Sequence, residues 1–353
     1  MKALVYHGPG HKSWEDVSDP GIVDDTDAIV RVVATTICGT DLHILKGDLP
    51  ATPDGRILGH EAVGIVETIG AAVTTLKPGD RVVVSCVSAC GRCRYCREAA
   101  YGQCLGGGGW ILGYKINGTQ AERVRVPFAD TSTYQVPPGL DDEAVLMLSD
   151  ILPTAYEVGV INGRIRPGDT VAIVGAGPIG LAAIMAARLY SPGHIVAVDL
   201  ADTRLDAAKQ FGADVVVNPS RQDPAQAIAD LTDGLGADVA IEAVGLPETF
   251  EMCTSLVRPG GHVANVGVHG KPATLHLEDL WTRNVTITTG LVDTWSTPRL
   301  LKLLGTGELA AERFITHRFP LEEVMEAYDV FSKAADTGAL KVLLHNEASD
   351  TAG

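Results

Sequence analysis

Basic residues are the first shortage. The 353 residues include 28 Lys and Arg against 44 Asp and Glu, a formal net charge of −16. Nucleic-acid binders concentrate Lys and Arg, so this balance argues against a polyanionic partner. Long apolar runs are missing too. No segment approaches the ~20 apolar residues of a membrane span, and the opening MKALVYHGPGHKSWED has no signal-peptide core. Cysteine is scarce and odd in number, at seven, which suits a reducing compartment better than a disulfide framework. There is no internal repeat and no low-complexity tract. A cytoplasmic protein with neither membrane nor nucleic acid as partner is expected. What is present, 46% hydrophobic and 20% charged residues, is an ordinary soluble globular composition with length for about two domains.

The chain changes grammar near residue 153. Before it, short Val- and Ile-rich runs at 28–35, 62–70 and 81–85 are punctuated by Gly, Pro and Asp, which reads as mainly β. After it, TVAIV, PIGLAAIMAARLY, IVAVDL, ADTRLDAAKQFG and ADVVVN alternate strand and helix patterns. That alternation implies an α/β region with a doubly wound parallel sheet. Past about residue 291 the chain turns helical, ends in the strand LKVLLH, and closes on a polar tail, NEASDTAG, expected to fray.

Four of the seven cysteines, Cys90, Cys93, Cys96 and Cys104, share one loop with spacing C-x2-C-x2-C-x7-C. Four thiolates so close together suit a closed tetrahedral zinc site. A [4Fe-4S] cluster is the nearest competitor, but the ferredoxin run has a shorter last interval and a proline after its final cysteine, where this chain has Leu105. Two disulfides, or unrelated buried thiols, are the alternative without a metal. Cys86 and Cys253 read as small core residues.

The strand TVAIV runs into Gly175-Ala176-Gly177-Pro178-Ile179-Gly180 and then a helix. Flanked this way, G-x-G-x-x-G marks a dinucleotide fold. Gly175 would allow the tight turn, Gly177 the approach of the pyrophosphate, and Gly180 the packing of helix on strand. Asp199, at the end of the next strand, sits where an acid accepts hydrogen bonds from the ribose hydroxyls and repels a 2′-phosphate, so NAD is expected over NADP. Asp199 could instead cap the helix starting near Ala201. Arg204 could soften the discrimination by reaching toward a phosphate.

Cys38 in ICGTDLH, His60 and Glu61 in LGHEAVG, and Asp150 in LSDILPTAY remain. Each has an ordinary reading, Cys38 as a buried thiol and Asp150 as a helix cap. Together a thiolate, an imidazole and a carboxylate are the ligand types of a catalytic zinc with an open fourth position.

With these residues the chain resembles the zinc-dependent medium-chain alcohol dehydrogenases over residues 1–345. The resemblance implies a Rossmann domain, residues 153–291, inserted into a GroES-like mainly-β catalytic domain, residues 1–152 and 292–353, with the structural zinc lobe at about 86–110. It implies two zinc ions per subunit: Cys38, His60 and Asp150 on the catalytic one, and the four cysteines on the structural one. Many members carry cysteine where this chain has Asp150; bacterial secondary-alcohol dehydrogenases carry aspartate. Glu61 resembles the residue that approaches zinc during ligand exchange, Thr40 the first proton relay and His43 the solvent-facing base. Trp110 and Leu291 fall where members line the substrate pocket. The implied reaction is reversible oxidation of a small, secondary alcohol with hydride transfer to NAD, by a homotetramer. Formaldehyde, aldehyde and polyol dehydrogenases of the same family are alternatives, as is a non-catalytic NAD(P)-binding scaffold.

Overall fold

The computed structural model describes Met1–Asn346, so residues 347–353 of the tail lie outside the described residues. Asn346, the first tail residue, is not frayed. It is buried, its backbone N–H donates to Val33 O and its side-chain amide to Val32 O, both at 2.9 Å. The chain divides into two compact units, Met1–Asp150 with the segment from Asp293 onward, and Ile151–Val292.

The first unit is built on a seven-stranded sheet. Its path runs Ile315–Pro320, Lys341–His345, Ala28–Thr36, Ala62–Ile69, Arg81–Val84 and Thr133–Gln135, with Arg123–Val126 also paired to Ala28–Thr36. β-Branched residues fill these strands because they pack well on a pleated surface. Val30, Val32, Ala62, Val66, Val82, Val84 and Val124 form one fully or nearly fully buried cluster. Register places the strand ends. Thr35 pairs with Ala62, Ala62 with Val84 and Leu343 with Thr36, all antiparallel. The residues just past Thr36, just before Ala62, just past Val84 and just before Leu343 therefore collect at one end of the sheet.

The second unit holds six parallel strands: β1 (Thr170–Val174), β2 (His194–Val198), β3 (Val215–Val217), β4 (Ala237–Glu242), β5 (Val257–Asn265) and β6 (Thr286–Thr289). Their spatial order is 3-2-1-4-5-6, the doubly wound arrangement that the alternating pattern implied. β1 is buried at every position, as expected of a strand covered on both faces. The helix Pro178–Arg188 leaves β1 through a glycine turn, with Pro178 in its first turn, where a missing N–H costs nothing. Among the described residues no helix is long and apolar enough to cross a membrane.

Candidate metal centre and nucleotide turn

Cys38 follows the strand ending at Thr36 and caps the helix Gly39–Lys46. Its backbone N–H donates to Asp41 Oδ2 at 2.9 Å, which fixes the turn that presents the sulfur. His60 and Glu61 immediately precede the neighbouring strand. Cys86 lies just past Val84, and its N–H donates to Ser149 O at 3.0 Å, which brings Asp150 to the same end of the sheet.

The side chains converge. Asp150 Oδ2 is 3.5 Å from His60 Nε2 and 3.7 Å from Cys38 Sγ. One ligand atom each from Cys38, His60, Glu61 and Asp150 all lie within 4.8 Å of one another. Tetrahedral ligands at zinc bond lengths of about 2.0–2.3 Å would stand roughly 3.3–3.8 Å apart. The observed separations match that size, and the donor set is one zinc accepts. A second feature points the same way. His60 Nδ1 and Asp41 Oδ1 are buried, face each other at 3.9 Å and have no hydrogen bond. An imidazole that gives Nε2 to a metal carries its proton on Nδ1, and Asp41 is placed to receive it.

Charge at this site is tightly held. Burial alone would lower the His60 pKa, but hydrogen bonding to Asp150 and Cys38 outweighs it, and the imidazole lies well above its ordinary value. Burial pushes Asp41 up, with His60 pulling against it. Glu61 is fully buried and ion-paired to Lys341, whose Nζ donates to its two oxygens at 2.7 and 3.0 Å. Burial raises the Glu61 pKa against the pull of Lys341. Lys341 stays above its ordinary value because Glu61 and Cys38 outweigh the cost of burying an ammonium.

The residues around this cluster fall in several places. The Thr40 hydroxyl lies 3.7 Å from the Cys38 sulfur. His43, three residues along the same helix, is half-exposed, with Nδ1 2.7 Å from Asp48 Oδ2. Trp110 and His60 meet edge to face, ring centres 6.1 Å apart at 81°, and Trp110 stacks on Tyr114 at 4.8 Å. Leu291 belongs to the second unit and is exposed. Lys341, Asp41 and Gln120 were not singled out as site residues by the sequence reading. Gln120 ties Asp41 to Tyr328, donating to one at 3.0 Å and accepting from the other at 2.8 Å. Cys86 requires a correction: it is buried, but its sulfur faces a carboxylate oxygen of Asp150 at 3.5 Å rather than a purely apolar core.

The four-cysteine loop is a second convergence. All four thiols are free. Cys93 and Cys96 sulfurs are 3.4 Å apart and Cys90 and Cys96 3.9 Å, far longer than a disulfide's ~2.05 Å and near the ~3.8 Å edge of a four-sulfur zinc tetrahedron. Backbone N–H groups of Cys96 and Leu105 donate to Cys93, and those of Cys90 and Gly106 to Cys104. Those N–H groups hold the Cys93 pKa down to about 6, while burial and Cys93 push Cys96 up to about 12. A cage of donors around sulfur is what a cluster of thiolates needs.

In the second unit, Gly175 has φ +98°, and a Cβ at Gly180 would stand 1.8 Å from Gly175 O. Neither position admits a side chain. Open space surrounds the corresponding point on Gly177, leaving room for a ligand against the backbone. Asp199 accepts two backbone N–H groups, one of them at the start of the next helix, as its capping reading expected. Its Oδ1 accepts from Ala201 N at 2.9 Å at the start of the next helix, and its Oδ2 from Ala176 N at 2.8 Å in the glycine turn. Each oxygen keeps a lone pair for a further donor. Arg204 stands 3.9 Å away and is partly exposed.

Comparison with known proteins agrees with this geometry. The alcohol dehydrogenase GroES-like domain family matches residues 24–138, and the zinc-binding dehydrogenase family residues 178–304. An alcohol dehydrogenase of Cupriavidus necator is 38% identical, with 98% of each chain covered. Among solved structures, zinc-dependent alcohol dehydrogenase 2 from Streptococcus pneumonia superposes with a TM-score of 0.94 at 52% identity, covering 98% of this chain and 99% of that one. An alcohol dehydrogenase from Thermus sp. ATN1 gives 0.92 at 38% identity, covering 98% and 100%. A GroES-like unit, a doubly wound nucleotide unit and two ligand clusters thus occur together in one chain, which belongs to the zinc-dependent medium-chain alcohol dehydrogenase family.

Proposed function

We propose that this enzyme oxidises small secondary alcohols reversibly to ketones with NAD, holding its catalytic zinc on Cys38, His60 and Asp150 and a structural zinc on Cys90, Cys93, Cys96 and Cys104. The carrying observation is the convergence of thiol, imidazole and carboxylate atoms within 4.8 Å at one end of the catalytic sheet. When bound, zinc lowers the pKa of an alcohol hydroxyl and leaves a position open for it.

The rest falls to the protein. Asp41, held by Gln120, faces His60 Nδ1, and Lys341 holds Glu61 beside the ligands without leaving a lone buried charge. Thr40, next to the Cys38 sulfur, would accept the alcohol proton at its hydroxyl oxygen while giving up its own. His43, half-exposed and oriented by Asp48, passes that proton to solvent. Trp110 narrows the approach to His60; Leu291 is assigned to the substrate pocket on the resemblance. In the nucleotide unit Gly175 to Gly180 carry the pyrophosphate at a helix N-terminus. Asp199 discriminates against a 2′-phosphate by like-charge repulsion, with Arg204 as the counterweight. Aspartate as third ligand favours secondary alcohols by analogy with the relatives that share it. A cytoplasmic homotetramer is part of the same reading, and sedimentation of the purified chain tests it.

The decisive experiment is steady-state kinetics on the zinc-loaded enzyme. 2-Propanol is expected to give a higher kcat/KM than ethanol, and NAD to exceed NADP by at least about a hundredfold, a like-charge contact costing several kcal/mol. Preference for ethanol overturns the substrate class. Equal use of both cofactors removes Asp199 from the ribose.

A further inference from the structure

We propose that Cys86 is a positioning residue for Asp150, its buried thiol holding one carboxylate oxygen so that the other is aimed at Cys38 and His60. The proposal rests on the reading of Cys38, His60 and Asp150 as metal ligands.

The two oxygens of Asp150 have different surroundings. Oδ2 faces the cluster, 3.5 Å from His60 Nε2 and 3.7 Å from Cys38 Sγ. Oδ1 receives the Cys86 thiol at 3.5 Å. An unrestrained carboxylate can offer either oxygen or both, or swing out of reach. A donor fixed on Oδ1 selects Oδ2 as the ligand, as hydrogen bonds to ligating carboxylates do in metal sites.

Cys86 is well placed for that work. It is 3% exposed, and its backbone N–H donates to Ser149 O at 3.0 Å. One residue thus grips the Ser149–Asp150 segment twice, through its main chain and through its sulfur. It supports the site without joining it: the mutually close set of ligand atoms is drawn from Cys38, His60, Glu61 and Asp150, without Cys86. A thiol is a weak donor, so its loss belongs at the low end of the ~10–100-fold effects seen when outer partners of metal ligands are removed.

The test compares Cys86→Ala, Cys86→Ser and Asp150→Ala in the zinc-loaded enzyme. Metal retained per chain against a zinc chelator is measured, together with the visible spectrum of the cobalt(II)-substituted forms. Cys86→Ala is expected to weaken retention of one of the two ions by about tenfold and to shift the cobalt spectrum. Cys86→Ser, which keeps an O–H donor, is expected to hold that ion nearly as the parent does. An alanine variant that retains metal like the parent with an unchanged spectrum overturns the proposal. So does a serine variant that fails as far as alanine. Asp150→Ala separates the layers. If it loses the ion while Cys86→Ala does not, only the Cys86 role falls; if it too keeps the ion, the ligand reading fails and takes this inference with it. Should the alanine variant not fold, Cys86→Val, which fills the space without a donor, is read against Cys86→Ser in its place.

Discussion

The two ligand clusters are built on opposite plans. The cysteine lobe uses one residue type from one loop, Cys90 to Cys104, with three of its four thiols partly exposed. Its order comes from backbone N–H groups within the loop itself. The Cys38 cluster uses different chemistries drawn from positions 38, 60, 61 and 150, with Lys341 in support, and depends on four strands keeping register. On the proposed reading, the lobe stays closed, while a site that has to admit a substrate borrows its rigidity from the sheet, so that its supporting residues come from far along the chain.

Substitutions at each cluster should separate these plans. The largest effect is expected from Asp150→Ala: turnover falls to background and about one zinc per chain is lost, while circular dichroism stays unchanged. Normal activity with full metal content would remove Asp150 from the ligand set. Cys96→Ser should act through stability, because the binding energy of a closed site is folding energy. A fall in Tm of roughly 5 °C or more, with loss of the other zinc, is expected. An unchanged melt with both ions present would show that the lobe is not a metal site.

Lys341→Met breaks the buried pair and leaves Glu61 alone. Removing one partner of such a pair costs about 3–5 kcal/mol, which urea unfolding measures directly. A loss below about 1 kcal/mol, typical of exposed pairs, would mean that the pair is solvated. The smallest effect is expected from His43→Gln, roughly tenfold in kcat, below the ~10²–10⁴ of a general base without substitute. Solvent reaches the same point, so added imidazole should restore the rate. A variant with the parent rate at every pH would take His43 out of the proton path.

The plans also differ in how far the sequence displayed them. The lobe was legible because spacing within one loop is spacing in space. Cys38, His60 and Asp150 were legible only because their residue types suit a metal and match a family pattern. Lys341 was not: in LKVLLH it looks like the polar member of an ordinary strand, and its burial follows from the pairing of Leu343 with Thr36. Asp41 was not singled out: one of its oxygens accepts the Cys38 N–H at the helix start, and the other is turned to His60. Cys86 read as core because a thiol carries no sign of its partner, and that partner lies 64 positions away. The nucleotide unit was the most transparent region, since each of its first four strands is followed locally by a helix.

The strand Lys341–His345 lies between Ile315–Pro320 and Ala28–Thr36, so the sheet of the first unit has a gap until residue 345 has been made. On the ribosome, residues 151–292 emerge complete, with strands and helices that are neighbours in sequence. The earlier residues must wait with the Ala34–Thr36 end of that strand unpaired on one side and Glu61 without its cation. An unpaired edge is a hazard for aggregation while it lasts. Newly made chains stalled before Lys341 should therefore carry a folded nucleotide unit behind a catalytic unit that still needs a chaperone.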